Sequence, residues 1–542
     1  MGNLSVSLKI PPTKTSPFSF YDFSGGLNNR TEIRDNQARA LLNMAFASDL
    51  KVEKRPGVYP ALSSVIASSN DIVYIDEFKP YTGANQRVYV TSDNIKIGIH
   101  SLGIPNVKMG ITFLNQYFFV DGSDIWVFDG TYARKMVDPP DGFTPAPSPA
   151  TVGVWKNDDV ITPKQRWYEP CQFEIDSDSF GANLIPKKPS IINGKNGRVF
   201  ISGCEDDPNN VYISDVRNGF YYPVTLPLQP TPNGEKVTAL YEFMDVMVVG
   251  RTESISAIYG NTNISGTGES LFTVKNIQSH SGIMSQKSIV RMHNELVFMG
   301  SDNTIYRMIT PLTDVRYITT KRLSEDIELT LPPLNLTRAQ CEASNMLFHD
   351  NLLYCSIGGL LMVYSYTERG FTVYNRVVPT AMYNDNGTMI MALPTSPGYI
   401  YQWRPFGQLE RYRDTIGTSD YEISAYWTSK RFNFGSATYF KQFRELFAVI
   451  STYVKYDSNL KINFEIDFID VDSLIEVKDK VAVWGRAKFG DRFLNKDIAA
   501  SIPTQIGRRG RFLAFTIAND IIDQPIRLHE IAGDYILKGR RS

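Results

Sequence analysis

Short apolar runs alternate with polar turns along most of the chain. Runs of four to eight apolar residues are bounded by Gly, Asn, Asp and Pro, a pattern typical of β-strands joined by tight turns. Apolar residues at helical spacing predict only two short helices, over residues 31–43 and 337–343. The pattern therefore predicts an all-β chain.

One strand unit recurs between residues 55 and 414. It consists of an apolar strand, a polar turn, a second apolar strand, a Gly or Asp turn, and a third strand with a Tyr or Trp near its end. The closing aromatic residues are Tyr89, Trp126, Tyr212, Tyr259, Tyr306, Tyr364 and Tyr401. Most intervals are close to the roughly 40–50 residues of a four-stranded propeller blade, and the longest has room for an inserted or degenerate blade. We predict a β-propeller of six or seven blades over 55–414; unrelated β-meanders are the alternative.

Three other regions depart from this repeat. Residues 1–54 contain the first predicted helix and are interpreted as an N-terminal arm. A Pro-rich stretch at about 138–189 is predicted to be an insertion that leaves the ring. Beyond residue 414 the alternating strands are longer, and 415–542 is predicted to be an antiparallel β-sandwich or jelly-roll module. Its predicted strands are 422–427, 443–450, 461–468, 481–484, 512–518 and 526–536.

Composition limits the function classes. The 542 residues are 42% hydrophobic and 12% aromatic, and the net charge is −1, which argues against a general nucleic-acid binder but leaves room for a local basic patch. No apolar run approaches the ~18 residues of a membrane span, and no secretory signal follows Met1. The four Cys have no zinc-site spacing and are interpreted as reduced thiols of a chain made in cytoplasm.

Sequence motifs for catalysis are missing. The chain has no Gly-x-Ser-x-Gly elbow, no Walker loop and no dinucleotide fingerprint. His529-Glu530 begins like a zinc-protease helix, but Gly533 stands where the second ligand is needed, in a segment with a strand pattern. We therefore predict no enzyme, and we assign no catalytic, cofactor-binding or metal-ligating residue and no cofactor.

Two basic clusters stand out near the end of the chain. Contact with nucleic-acid phosphates or with an acidic partner surface is the functional interpretation, against solvated turns, cross-strand charge compensation and a frayed tail. The candidate contact residues are Arg508, Arg509, Arg511, Arg540 and Arg541.

Motifs near the start and in the middle of the chain resemble a known class of phage proteins. The opening motifs are Phe23-Ser24-Gly25-Gly26-Leu27-Asn28, Asp35-Asn36-Gln37-Ala38 and Lys54-Arg55-Pro56-Gly57. The middle ones are the hairpin 245–255 and the Gly282-Ile283 start of the next unit. Together they resemble the tail-nozzle proteins of short-tailed phages, also called tail tubular protein B or packaged-DNA stabilisation proteins. The resemblance covers roughly 20–310 and, more loosely, the C-terminal module.

This resemblance implies a structural virion protein of a podovirus. It implies a homo-oligomeric ring, commonly a hexamer, attached below the portal and adaptor proteins, with tail fibres or spike proteins as further partners. The ring retains packaged double-stranded DNA and serves as its ejection channel, so the expected location is the phage tail after synthesis in the host cytoplasm. The near-neutral charge suits a channel that must not grip DNA. The alternatives are a propeller-based receptor-binding or glycan-degrading tail protein and a cellular propeller interaction module.

Overall fold

A computed structural model describes most of the chain. The described residues are 15–47, 49–81, 83–136, 184–214, 219–220, 222, 228–229, 234–260, 272–309, 318–394, 396–405, 410–451, 458–477 and 499–538. Three of the predictions made above therefore fall wholly or largely outside them: the contacts Arg540 and Arg541, the strand 481–484, and the Pro-rich segment up to residue 183.

Forty-one strands and one short α-helix make up the described secondary structure, together with a 3₁₀ turn at Gln286–Ser288. Five strands precede the first blade: β1 (Thr15–Phe20), β2 (Ala38–Leu42), β3 (Met44–Ala47), β4 (Lys51–Lys54) and β5 (Val58–Leu62). Blade 1 consists of β6 (Tyr74–Phe78), β7 (Gln86–Val90), β8 (Ile95–Ile97) and β9 (His100–Ser101). Blade 2 consists of β10 (Met109–Phe113), β11 (Gln116–Val120), β12 (Ile125–Phe128) and β13 (Ala133–Lys135). Blade 3 consists of β14 (Ile191–Lys195), β15 (Arg198–Ser202) and β16 (Tyr212–Ile213).

Four further blades follow in chain order. Blades 4 and 5 are β17 (Val237–Phe243), β18 (Val246–Arg251), β19 (Ile255–Tyr259), β20 (Thr273–Ile277); and β21 (Ile289–Met292), β22 (Glu295–Met299), β23 (Ile305–Ile309), β24 (Thr319–Arg322). Helix α1 (Arg338–Glu342) precedes blade 6, which is β25 (Asn345–His349), β26 (Leu352–Ile357), β27 (Leu360–Ser365), β28 (Phe371–Tyr374). Blade 7 contains β29 (Ala381–Asp385), β30 (Thr388–Ala392), β31 (Ile400–Trp403) and, from the start of the chain, β5.

The seven blades close into a ring. The first strand of each blade contacts the first strand of the next, and β29 of blade 7 contacts β6 of blade 1. Strand β5 pairs with β31, with Val58 opposite Trp403 and Leu62 opposite Ile400, so an N-terminal strand completes the last blade. Because β10 also contacts β14, blades 2 and 3 are direct neighbours in the ring. The predicted propeller is confirmed, with seven blades.

The apolar strands of the blades are buried on both faces. In β18, Val246 and Val248 pack toward blade 5 against Leu296 and Phe298, while Met247 and Val249 pack toward blade 3. Successive side chains of a strand point to opposite faces, so a strand between two neighbouring blades is apolar at every position. This explains the short continuous apolar runs of the sequence. Six of the predicted closing aromatic residues lie in third strands, whereas Tyr89 lies in β7, the second strand of blade 1.

A β-sandwich follows the propeller. Its strands are β32 (Arg413–Ile416), β33 (Ser419–Glu422), β34 (Ala425–Ser429), β35 (Lys441–Ser451), β36 (Ser458–Ile466), β37 (Ile469–Val477), β38 (Ala499–Gln505), β39 (Arg509–Gly510), β40 (Leu513–Asn519) and β41 (Arg527–Leu537), of which β32 and β33 form a separate hairpin. The seven-stranded sheet has the order β3-β4-β41-β35-β38, with β1 on β41 and β39 on β35; the five-stranded sheet is β2-β34-β40-β36-β37. Apolar side chains of both sheets, including Leu446 and Phe515, share one core, which confirms the predicted sandwich.

Two predictions about the N-terminal region are wrong. Residues 31–43 do not form a helix: β2 occupies Ala38–Leu42 and pairs with β34, with Leu41 opposite Trp427. A helix of this length is marginal in isolation, and burial of Ala38 and Leu41 in the sandwich core outweighs the helical spacing. Strands β1–β4 are also not a separate arm, since they belong to the two sheets of the sandwich. The second predicted helix is present as α1, and Thr337 Oγ1 caps it by accepting from Gln340 N.

Candidate functional site

The opening Gly-Gly motif joins the sandwich to blade 6. Gly26 has φ +67°, and a Cβ atom there would lie 2.6 Å from the Phe371 carbonyl oxygen. Leu27 N donates to the same oxygen at 2.7 Å, and Asn43 N donates to Val373 O at 2.7 Å. Strand β28, the outer edge of blade 6, is therefore covered by backbone of the N-terminal region, and only glycine fits at the closest approach.

Gln37 of the second motif is a buried connector. Its Oε1 accepts from Asn28 Nδ2 at 2.8 Å and from Arg34 N at 2.9 Å, and its Nε2 donates to Asp326 Oδ2 at 2.8 Å. Asp326 lies in the segment after blade 5. The side chain thus fixes the loop before β2 and ties it to the propeller.

Arg55 of the third motif forms a fully buried ion pair. Its two terminal nitrogens donate to Asp414 Oδ1 and Oδ2 at 2.9 and 2.7 Å, and neither side chain is exposed to solvent. Arg55 Nε also donates to Asn43 Oδ1 at 2.9 Å, and one terminal nitrogen donates to Asn375 O at 3.2 Å. Bidentate geometry and satisfied donors are the conditions under which a buried pair is well compensated. Arg55 therefore connects the N-terminal strands, blade 6 and the hairpin β32–β33.

Gly57 lets the chain pass from the sandwich to the propeller. A Cβ atom at this position would overlap the carbonyl oxygen of Arg413. Gly57 N donates to Arg411 O at 2.6 Å, and Val58 N donates to Asp414 Oδ1 at 3.2 Å. The Arg-Pro-Gly turn is thus the point at which β4 of the sandwich is followed by β5 of blade 7. The signal for it was present in the sequence motif, but its partner Asp414 was not identifiable.

Lys54 lies buried beside this ion pair. Its Nζ donates to Asn519 Oδ1 and to Ile521 O, both at 2.8 Å. Burial, together with the neighbouring charge of Arg55, lowers the pKa of Lys54 from 10.5 to about 7. The folded protein therefore holds this ammonium group much less readily than the unfolded chain does.

The first predicted basic cluster lies at one corner of the sandwich, close to Lys538, which precedes Arg540 and Arg541 in the sequence. Gln442 at the start of β35 pairs with Arg509 on one side and with Ile536 on the other. Lys538, directly after β41, donates its backbone N–H to Phe440 O at 2.8 Å. Adjacent strands lie about 4.8 Å apart, so β39 and β41 are separated by roughly 10 Å across β35. We call Arg508, Arg509, Arg511 and Lys538 the basic corner; Arg540 and Arg541 follow it in the sequence, outside the described residues.

The arginines of the basic corner are directed to solvent. All three are exposed, and no acidic side chain within the described ranges forms an ion pair with them. Arg511 lies over the ring of Phe440, 4.8 Å from its centroid. Asp467 Oδ1 fixes the turn instead, by accepting from the backbone of Arg511 at 2.7 Å and of Phe512 at 2.9 Å. The corner is therefore open to an anionic partner.

The propeller channel contains two carboxylates that protein groups already bind. Asp76 Oδ2 accepts from the hydroxyls of Tyr74 at 3.0 Å and Tyr117 at 2.7 Å, and burial raises the pKa of Asp76. Glu77 pairs with Arg87 at 2.8 Å and with Lys79 at 3.1 Å. No Trp lines the described part of this cavity.

Metal and membrane features are not found in the described part of the chain. There, no group of three His, Cys, Asp or Glu side chains is placed to hold a metal ion. His529 lies in β41 rather than in a helix. Likewise, no helix among the described residues is long and apolar enough to cross a membrane.

Comparisons with known proteins find only remote structural similarity. No family model and no curated protein matches the chain. Among solved structures, PorZ of the Porphyromonas gingivalis type-IX secretion system is 10% identical with a TM-score of 0.32, over 71% of this chain and 44% of PorZ. The exo-β-1,3-galactanase of Phanerochaete chrysosporium is 10% identical with a TM-score of 0.24, over 65% and 99%. Apo AztD of Citrobacter koseri is 6% identical with a TM-score of 0.32, over 64% and 89%. This chain thus matches less than half the length of PorZ, and similarities at this level carry no functional argument.

Proposed function

We propose that this protein is a structural subunit of a phage tail nozzle. In this proposal several copies, six by the resemblance, form a ring below the portal and adaptor proteins, retain packaged DNA and conduct it during ejection. The observation that carries the proposal is the junction: the opening motifs that resemble the nozzle class contain the residues that join sandwich and propeller. Gly26, Gln37, Arg55 and Gly57 all make their contacts there.

A rigid junction suits a protein that must resist mechanical load. The buried pair of Arg55 and Asp414 has no solvent access, and β5 and β1–β4 connect the same N-terminal segment to both domains. Relative domain motion is the usual expectation when domains share only a small interface. Here the chain crosses between the domains twice, after β4 and after β31, and the buried ion pair lies where these two segments meet, which supports a subunit that behaves as one solid block.

The channel of one propeller is too narrow to conduct a duplex. Lys287 Nζ of the turn before blade 5 donates to Val73 O, just before blade 1, at 2.9 Å, so a single lysine side chain reaches across the mouth. The major groove of DNA alone is about 12 Å wide. A DNA conduit built from this chain must therefore be framed by several copies, which is the arrangement proposed.

The basic corner is the candidate contact surface in such a ring. Its exposed arginines suit either DNA phosphates or an acidic surface of an adaptor or fibre protein. A salt titration distinguishes DNA from an acidic protein surface as the partner. For duplex DNA, the loss of one phosphate contact reduces the slope of log K against log salt by about 0.9. The variant with Arg508→Gln and Arg509→Gln is compared with Lys321→Gln on β24 of the propeller.

A glycan-degrading tail protein is the second candidate. Asp76 favours it, because a buried carboxyl with a raised pKa is the kind of group that serves as a general acid. The two tyrosine hydroxyls on Asp76 and the two cations on Glu77 oppose it.

Native mass spectrometry of the purified chain, alone and with a portal–adaptor complex, tests the proposal. We expect a closed ring of several copies on the complex, six if the resemblance holds in full. A chain that stays monomeric in both samples and cleaves a host glycan would overturn the nozzle proposal in favour of the second candidate. Loss of that cleavage in Asp76→Asn would then assign the activity to the channel.

A further inference from the structure

A cavity opens at the mouth of the propeller channel, where the first strands of the blades begin. Its volume is about 630 Å³, and its wall comes from most of the ring, including Val73, Lys108, Lys287, Ser344 and Met382. Ligand sites in proteins commonly occupy about 300–1,000 Å³. The cavity therefore has the size of a small-molecule site, and none of the proposals above uses it.

Two lysines give this mouth a positive charge. Lys287 and Lys108 both line the cavity and are exposed to it, and no carboxylate among the described residues pairs with either. Loss of hydration beside the channel wall lowers the pKa of Lys287, and the positive charge of Lys108 lowers it further. Lys287 donates one N–H to Val73 O, so two of its three donors are left for a ligand.

The acidic residue that also lines the mouth is already neutralised. Glu342, at the end of α1, pairs with Arg338 of the same helix at 3.1 Å. The two lysines are therefore not compensated by the protein itself. An unpaired pair of like charges is unfavourable unless an anion joins them.

One buried hydroxyl in the wall also has no partner. Ser344 Oγ is buried and makes no hydrogen bond with any described residue, whereas the Ser285 side chain forms a capping box with Ser288. The neighbouring polar side chains are used: Gln286 exchanges two hydrogen bonds with the backbone of Leu240, at 2.6 and 2.8 Å, and Ser190 Oγ donates to Gly203 O at 2.8 Å. Buried hydroxyls are seldom left unpaired in folded proteins. Ser344 lines the same cavity as the two lysines, so its hydroxyl is available as a donor to the same ligand.

The rest of the wall is apolar. It is formed by aliphatic and thioether side chains at the starts of the first strands: Ile75, Val107, Met109, Ile289, Met346 and Met382. Methionine side chains adapt to ligands of irregular shape. A bare inorganic ion would leave this surface unused.

We propose that the channel mouth binds a small organic anion. Lys287 and Lys108 hold its phosphate or carboxylate head group, the hydroxyl of Ser344 donates to the same oxygens, and its apolar body lies against the methionine-rich wall. Two ammonium groups favour a doubly charged phosphate monoester over a carboxylate. The inference does not depend on ring assembly, and the nozzle proposal can fail without affecting it.

Titration with phenyl phosphate, followed by NMR or calorimetry, tests this site. We expect phenyl phosphate to bind to the full chain, benzoate and inorganic phosphate to bind more weakly, and phenol not to bind. Lys287→Gln should weaken the binding of phenyl phosphate at least about tenfold, as expected for the loss of a hydrogen bond from a charged group. Lys321→Gln, a lysine on the outer strand of the same blade, should leave binding unchanged.

Ser344→Ala keeps the test independent of folding. Because its hydroxyl has no protein partner, the variant should retain the stability of the wild type and still bind phenyl phosphate several-fold more weakly. Absence of binding to the wild type, equal binding of phenol and phenyl phosphate, or equal affinity of wild type and Lys287→Gln would each overturn the proposal.

Discussion

The propeller and the sandwich are built from the chain in opposite ways. In blades 1, 2, 4, 5 and 6 every strand pairs with the next strand along the sequence. In the sandwich, Leu41 pairs with Trp427, and Thr15 pairs with Ile536. Local hairpins close short loops, whereas the sandwich brings together both ends of the chain. The comparison indicates that strand pairing within a blade depends on neighbouring stretches of sequence, whereas strand pairing in the sandwich depends on the junction that brings distant segments together.

Breaking the buried ion pair should have the largest effect on this arrangement. Arg55→Met leaves Asp414 buried without its partner, and such losses cost about 3–5 kcal/mol. We expect urea unfolding to show a destabilised sandwich transition separated from that of the propeller. Lys188→Gln, which removes an exposed pair with Glu205, should change stability by less than about 1 kcal/mol. A single unchanged transition in Arg55→Met would show that the junction does not couple the two domains.

Overpacking the turn between the domains should have the next largest effect. Gly57→Ala places a methyl group against the Arg413 carbonyl, and overpacking in a tight site typically costs about 1–3 kcal/mol. Gly194→Ala in β14 is the matched control, because its added Cβ would make an ordinary contact with Ile111 at 3.4 Å. Thermal unfolding of both variants distinguishes the two sites, and equal melting temperatures would contradict the close approach at Gly57.

Stability should rise with pH because of Lys54. Its pKa is about 7 in the folded protein and 10.5 as its ordinary value, so between these limits the unfolded chain binds more protons than the folded one. The free energy of unfolding should therefore increase by up to about 1.4 kcal/mol per pH unit from pH 7 toward pH 10, and this gain is lost as the pH falls to 7. Lys54→Met should remove that slope and Lys321→Met should keep it, as measured by urea unfolding at pH 7 and pH 9. Parallel slopes in wild type and Lys54→Met would exclude Lys54 as the titrating group.

The smallest effect on stability is expected at the basic corner. Arg508 and Arg509 are exposed, so the double change to Gln should alter the free energy of unfolding by no more than about 0.5 kcal/mol. This contrast with Arg55 separates an arginine that holds the fold from arginines available for a partner. A loss above 2 kcal/mol in chemical denaturation would make the corner part of the structural core.

Local features of the sequence predicted most of the strands. The predicted strands 443–450 and 526–536 correspond to Lys441–Ser451 and Arg527–Leu537, because alternation and turn residues are properties of neighbouring positions. The turn residues also behave as expected: Asn196 and Gly197 between β14 and β15 both have positive φ, 51° and 71°, as a two-residue hairpin turn requires.

Long-range relations were beyond the sequence. The spacing at 31–43 satisfied a helical pattern, and only the partner strand β34 made the extended conformation of Ala38–Leu42 favourable. The cavity at the channel mouth likewise depends on residues that are far apart in the sequence. Lys108 and Lys287 belong to different blades, and no local pattern connects them. Distances across a ring depend on the number of blades, which the repeat left at six or seven.

Closure of blade 7 by β5 has a consequence for biosynthesis. Strand β5 ends at Leu62, and its partner β31 begins at Ile400, so most of the chain is translated between them. At about 5–20 residues per second, this interval lasts on the order of half a minute. During that time β5 and the N-terminal sandwich strands leave the ribosome with unpaired edges, which are templates for aggregation. The charged residues Lys51, Glu53 and Lys54 of β4 oppose such pairing, and faster elongation should favour correct folding by shortening the wait.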